Sequence, residues 1–210
     1  MKSIAFALCL LSAAWAQVPA SQPMQHDHSK HQAENLPPAD PATRDSLYQL
    51  EPALKDQQGQ PMALAVFKGR PVLIAMFFAS CTSVCPLIIS DIQRFEKGLT
   101  EAERAQLGVI LVSFDDVRDG PPAFEAIIKR HQIDATRWRL ATTPAADVRL
   151  LAAALGIRYT KEPDGGYVHS ATLTLLNRAG EVAARAEGIL QPVDGLIQTF
   201  RGLASQGEEP

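Results

Sequence analysis

The chain is poor in sulfur. Its 210 residues include three cysteines, and Cys9 falls inside an apolar leader, which leaves Cys81 and Cys85 for the rest of the molecule. One close pair cannot staple a fold together, so the disulfide-framework class of exported proteins is excluded. Positive charge is not in excess either. A formal net charge of −3 argues against a nucleic-acid partner, which needs a basic face to neutralise phosphates. The N-terminal apolar run, residues 4–14, is shorter than the roughly 20 residues that span a bilayer. No internal repeat is present. What remains, at 46% hydrophobic and 20% charged residues, suits one globular domain with extensions.

The N-terminal residues read as an export signal over positions 1–16. Lys2 is the positive start, Ile4 to Ala14 the apolar stretch, and Ala14-Trp15-Ala16 a small-x-small cleavage site. This predicts an exported protein, periplasmic or otherwise extracytoplasmic, that meets a membrane only if the signal is retained as an anchor. Residues 17–44 are rich in Pro, Gln, Ala and Ser and read as a flexible tether. Three of the five histidines, His26, His28 and His31, fall there within six positions. They are either an auxiliary metal tract or part of a polar linker. The domain is expected over 45–205, with 206–210 as a tail.

Inside the domain, helical patterns alternate with buried strands. Leu50 to Leu54 and Pro61 to Phe67 flank a turn signal, Asp56-Gln57-Gln58-Gly59, and predict a hairpin. Val72 to Phe78 is apolar without alternation, as in a central strand covered on both faces. From Pro86, Ile88, Ile92, Phe95 and Leu99 recur at helical spacing, and Thr100 to Glu103 is a capping box for a second helix. Gly108 to Phe114 is the next buried strand, running into the charged loop Asp115 to Asp119. A helix marked by Phe124, Ile127, Ile128 and His131 follows, then a short strand Trp138 to Ala141. Thr143 is expected to cap a helix whose first residue is Pro144 and whose stop is Gly156. Val168-His169-Ser170 leads into a strand Ala171 to Leu176, which turns at Asn177 to Gly180 into Glu181 to Glu187. Pro192 opens the last helix. Together these predict a three-layer α/β sandwich.

The chemistry centres on Cys81 and Cys85, four apart where a buried strand gives way to a helix. That spacing allows a disulfide, and the helix N-terminus favours thiolate. Thiolate serves disulfide exchange and soft-metal binding equally, so both roles stay open. A metal site needs a third ligand, and two thiolates with one imidazole suit copper. His169, after a Gly-rich turn and before a strand, is the best candidate. His131, near a helix C-terminus where the dipole favours an imidazolium, reads as surface structure.

Cys81-x-x-x-Cys85-Pro86, then Val112 to Asp119, then Tyr167-Val168-His169-Ser170 together resemble the Sco/SenC family. These are thioredoxin-fold copper-binding proteins linked to assembly of the copper centre of cytochrome c oxidase, and the resemblance spans roughly Leu47 to Leu203. It implies a thioredoxin-like sandwich with a mixed central sheet and an N-terminal hairpin extension. It also implies copper held by Cys81, Cys85 and His169, with the two cysteines forming a reversible disulfide. Asp115, Arg118 and Asp119 would lie beside the site, as support or as a docking element. The expected partners are a cuproenzyme target, such as a cytochrome c oxidase subunit, and a thiol-redox protein. Three family positions differ. Thr82 stands where a proline is common, Asp116 where a proline follows the loop aspartate, and Val168 where an aspartate precedes the histidine. A non-enzymatic metallochaperone is the leading expectation. The alternative is a thiol–disulfide oxidoreductase that uses the Cys81/Cys85 pair to reduce partner cysteines; a peroxidase on the same fold and an inert disulfide are weaker readings.

Overall fold

The computed structural model describes residues 45–205. The expected leader, the tether with His26, His28 and His31, and the 206–210 tail lie outside the described residues.

Two short strands, β1 (Leu54–Lys55) and β2 (Pro61–Met62), pair antiparallel around the Asp56–Gly59 turn. The hairpin was expected to be longer. Its flanks, Leu47–Leu50 and Leu64–Phe67, are instead 3-10 turns. Their spacing of three sends Leu64 and Phe67 together into the core.

The body is a five-stranded mixed sheet in the order β5 (Trp138–Ala141), β4 (Gly108–Ser113), β3 (Val72–Phe77), β8 (Thr172–Leu176) and β9 (Val182–Glu187). Strand β3 (Val72–Phe77) and β4 (Gly108–Ser113) are buried at every position, which explains their unbroken apolar sequence. Between them run α1 (Val84–Lys97) and α2 (Glu101–Gln106), the latter closed by the Thr100/Glu103 capping box. Helix α1 begins two residues before the expected Pro86. A proline in the first helical turn is tolerated because its missing N–H would have had no partner there. After β4 come α3 (Pro121–His131), β5 (Trp138–Ala141) and α4 (Ala145–Leu155). Thr143 is not the cap of α4. Pro144, with ψ of 150°, occupies the N-cap position, and the Thr143 hydroxyl donates to Asp147 Oδ2 at 3.2 Å.

The chain then makes a hairpin that the sequence pattern had not revealed. Strand β6 (Tyr159–Lys161) pairs only with β7 (Tyr167–His169), as a two-stranded sheet of its own. Each strand is three residues long, too short for an alternation to register. Strand β8 (Thr172–Leu176), β9 (Val182–Glu187) and α5 (Asp194–Ser205) finish the fold, the last helix starting two residues after Pro192.

The two crossovers that join the parallel strands β3, β4 and β5 run the same way across the sheet, which under the right-handed rule for such connections puts α1 and α3 on one face. There α1 meets α5 through Phe95 and Phe200, edge to face at 6.0 Å, and Gln93 donates to the His131 carbonyl at 2.7 Å. Helix α4 packs instead with the Leu47–Leu50 turn. The register that sets Phe77 opposite Ser113 makes the two parallel strands end level. With Ile74 opposite Thr174, the antiparallel β8 starts at that same edge. Three loops therefore converge where β3 ends. Among the described residues no helix is long and apolar enough to cross a membrane.

Phe200 has no exposed surface and seats α5 on α1, the helix that carries Cys85. Phe200→Ala is expected to cost about 3–5 kcal/mol, read as a lower urea midpoint at unchanged slope.

Candidate metal centre

Cys81 lies in the loop after β3, and Cys85 is the second residue of α1. Both are buried and both are free thiols. The N-cap residue of α1, Ser83, makes no side-chain cap. The Cys81 sulfur does that work, accepting the N–H of Cys85 at 3.3 Å. The helix N-terminus thus acts on this sulfur through a specific contact. Burial alone would push the Cys81 thiol up, but the N–H groups of Cys85, Ser83 and Val84 outweigh it and hold the group below its ordinary value. Cys85 goes the other way. Burial drives it well above the usual thiol range, the neighbouring Cys81 and Asp119 add to this, and the Phe78 backbone only partly offsets it. One sulfur is primed and its neighbour is held as a thiol.

His169 arrives on the last residue of β7, on a strand rather than the loop expected from the sequence. Its Nε2 is 3.8 Å from the Cys85 sulfur. Its Nδ1 is 3.1 Å from the Ser170 carbonyl. A carbonyl can only accept, so Nδ1 carries the proton and Nε2 presents its lone pair to the sulfur. Burial pushes the imidazole below its normal pKa, with the Ser170 carbonyl a smaller opposing influence. The ring is therefore neutral at pH 7, the form that binds a metal.

An aromatic wall surrounds this histidine. Phe114 stands 4.8 Å and Phe78 6.0 Å from its ring, centre to centre, and Tyr159 and Tyr167 pack on Phe114 at 4.9 and 5.9 Å. The sequence reading missed this wall. The one available signal was Tyr167-x-His169, two residues that share a strand face. Cys81, Thr82, Tyr167 and His169 are among the residues lining a cleft of about 340 Å³.

The acidic loop is not simply solvated. The Asp119 carboxylate accepts from the Ala79 N–H at 2.7 Å and from the Ser113 hydroxyl at 2.5 Å. Burial raises its pKa despite these two donors. Asp115 is buried and paired with Arg118, whose guanidinium also donates to the Gly165 carbonyl. His131 lies elsewhere, at the end of α3. Its burial and Arg130 lower its pKa, and its buried Nε2 has no partner. The helix dipole favours an imidazolium there, but desolvation and the Arg130 charge oppose it.

Among the described residues, no three His, Cys, Asp or Glu side chains stand close enough together to cage a metal ion as they are. Cys81, Cys85 and His169 are assembled in adjacent pairs, the first sulfur against the second residue's amide and the second sulfur against the imidazole.

The SCO1/SenC family model matches residues 42–203. The chain belongs to the SCO1/SenC family. A Stutzerimonas stutzeri protein assigned as copper-binding is 28% identical over 155 residues, covering 72% of this chain and 73% of that one. Among solved structures, BsSco, described as a Sco-family cytochrome c oxidase assembly protein with a disulfide switch, superposes with a TM-score of 0.65 at 22% identity, over 75% of this chain and 94% of that one. Bradyrhizobium japonicum ScoI, solved with copper bound, gives 0.56 at 20% identity, over 71% and 95%. The thioredoxin-like fold expected from the motifs is the fold of these Sco relatives. Of the three positions where this SCO1/SenC chain differs, Val168 is 60% exposed and Thr82 lines the cleft beside Cys81.

In the reduced, metal-free protein, iodoacetamide is expected to label Cys81 before Cys85. The Cys81 rate should level off at a lower pH than that of a free thiol, because its thiolate forms earlier. A pH–rate profile with peptide mass spectrometry checks both the order and the sign.

Proposed function

We propose that this protein is an exported metallochaperone that holds copper through Cys81, Cys85 and His169 and passes it to a cuproenzyme, with the copper centre of cytochrome c oxidase as the target. The observation that carries the ligand set is the tautomer of His169. Its Nδ1–H is committed to Ser170, so a lone pair faces the Cys85 sulfur. This is how a ligating histidine is commonly oriented by the group behind it. Two soft sulfurs and one imidazole are a donor set that suits copper. Cys81 gives up its proton more readily than an ordinary thiol, whereas Cys85 holds its proton and must release it to bind. The three groups do not form a cage as they stand, so they must close around the metal to bind it.

Copper binding by family relatives supports the cargo, and the role named for BsSco supports the target. The leader at residues 1–16 supports a site of action outside the cytoplasm, where the thiol pair would need a reductant between rounds.

A second reading rests on the opposed shifts of the two sulfurs. A primed Cys81 beside a protonated Cys85 is also the arrangement of a thiol–disulfide oxidoreductase. In that reaction the Cys81 thiolate attacks a partner disulfide. Cys85 then displaces the partner's first sulfur, leaving a Cys81–Cys85 disulfide and two partner thiols.

Titration of the reduced chain is expected to give about one copper per chain. His169→Ala should lose it while both thiols remain titratable. Stoichiometric copper in that variant, with undiminished affinity, would sink the three-ligand site. Undiminished exchange with a disulfide peptide, together with intact cellular function of His169→Ala, would favour the second reading.

A further inference from the structure

Consecutive residues of the acidic loop hold the two halves of the site from opposite sides. Asp119 grips the cysteine half. Its carboxylate takes the Ala79 N–H two residues before Cys81, and the Ser113 hydroxyl fixes that carboxylate at the end of β4. Arg118 grips the histidine half. Its guanidinium reaches the Gly165 carbonyl in the turn of the β6–β7 hairpin while pairing with buried Asp115. The base of this bridge is rigid, since the Asp115 carboxylate also accepts the Arg118 N–H at 3.2 Å and the Asp115 N–H donates to Ser113 at 2.9 Å.

The hairpin needs such a tie. It is a sheet of its own, with no ladder to the five-stranded body. Aromatic contacts with Phe78 and Phe114 hold its inner side, but they lack direction and allow sliding. Apart from the Cys85–His169 contact and the bond from His169 to its chain neighbour Ser170, the Arg118–Gly165 bond is the one hydrogen bond between residues 159–169 and the rest of the described chain. The approach is close. Gly165 has a φ of +85°, and a Cβ there would lie 3.0 Å from Arg118 Nη1.

We infer that Arg118 is a positioning residue, a two-point bridge from Asp115 to Gly165 that fixes the hairpin and so sets His169 against Cys85. A planar fork suits this task because it can satisfy a carboxylate and a carbonyl together, which a lysine ammonium does less well. What His169 then does with copper rests on the reading above; the bridge itself does not.

Hydrogen–deuterium exchange on the reduced, metal-free chain tests the bridge directly. In Arg118→Ala, amides of residues 159–169 should exchange about tenfold faster or more, as local opening of the hairpin becomes easier. Those of β3 and β4 should keep their wild-type rates. Arg118→Lys, which keeps the charge but loses the fork, should follow Arg118→Ala. Copper affinity should fall by about 10–100-fold in both variants, the range for groups that orient a metal ligand. Wild-type exchange in 159–169, acceleration spread equally over the whole sheet, or wild-type behaviour of Arg118→Lys would each overturn the inference. If the wild-type chain binds no copper, the proposed function fails while the exchange result still decides the bridge.

Discussion

Phe77 lies opposite Ser113 in the parallel pair β3–β4, and the loops leaving the two strands are level because of it. One loop carries Cys81 toward the start of α1; the other carries Asp115, Arg118 and Asp119. Ser113 occupies the final place in a buried strand and is itself fully buried. Its hydroxyl therefore needs partners, and it finds them in Asp119 and in the Asp115 amide. A slip of register by one residue would turn Ser113 to the other face of the sheet. Asp119 would then lose the hydroxyl that steadies its hold on Ala79.

The two sulfurs illustrate how position divides identical side chains. Cys81, just before the helix, collects N–H groups and is stabilised as an anion. Cys85, one helical position inside, is surrounded by core and keeps its proton. Burial is the largest influence on Cys85, with Asp119 adding to it. Both states follow from how the first turn of α1 packs on the strand edge, and the four-residue spacing is what lets one sulfur cap the turn that contains the other.

Much of the body could be read from residues 45–205 alone. The two central strands are apolar throughout because they are covered on both faces, and α2 announces itself by a capping box that forms as expected. The cysteine pair and His169 were visible as candidates because their residue types at those junctions have few other uses. The β6–β7 hairpin was not visible. Three-residue strands with Thr160, Lys161 and Val168 exposed carry no pattern, and their pairing is stabilised by Phe78 and Phe114 from elsewhere in the chain. Asp115 and Asp119 were expected beside the site, but their burial was not legible: it depends on the end of β4 being covered and, for Asp119, on the Ala79 N–H, 40 residues away in sequence.

By itself the sequence determined the longer helices and strands, the family motifs and the residue types available for chemistry, since each depends on local periodicity or on side-chain identity. Only the tertiary structure decided which nitrogen of His169 faces the sulfur, which cysteine is primed, and that Arg118 ties the histidine to the rest. The first two depend on burial and on where the fold aims backbone groups, although those groups are near in sequence; the last depends on a bond between segments 47 residues apart.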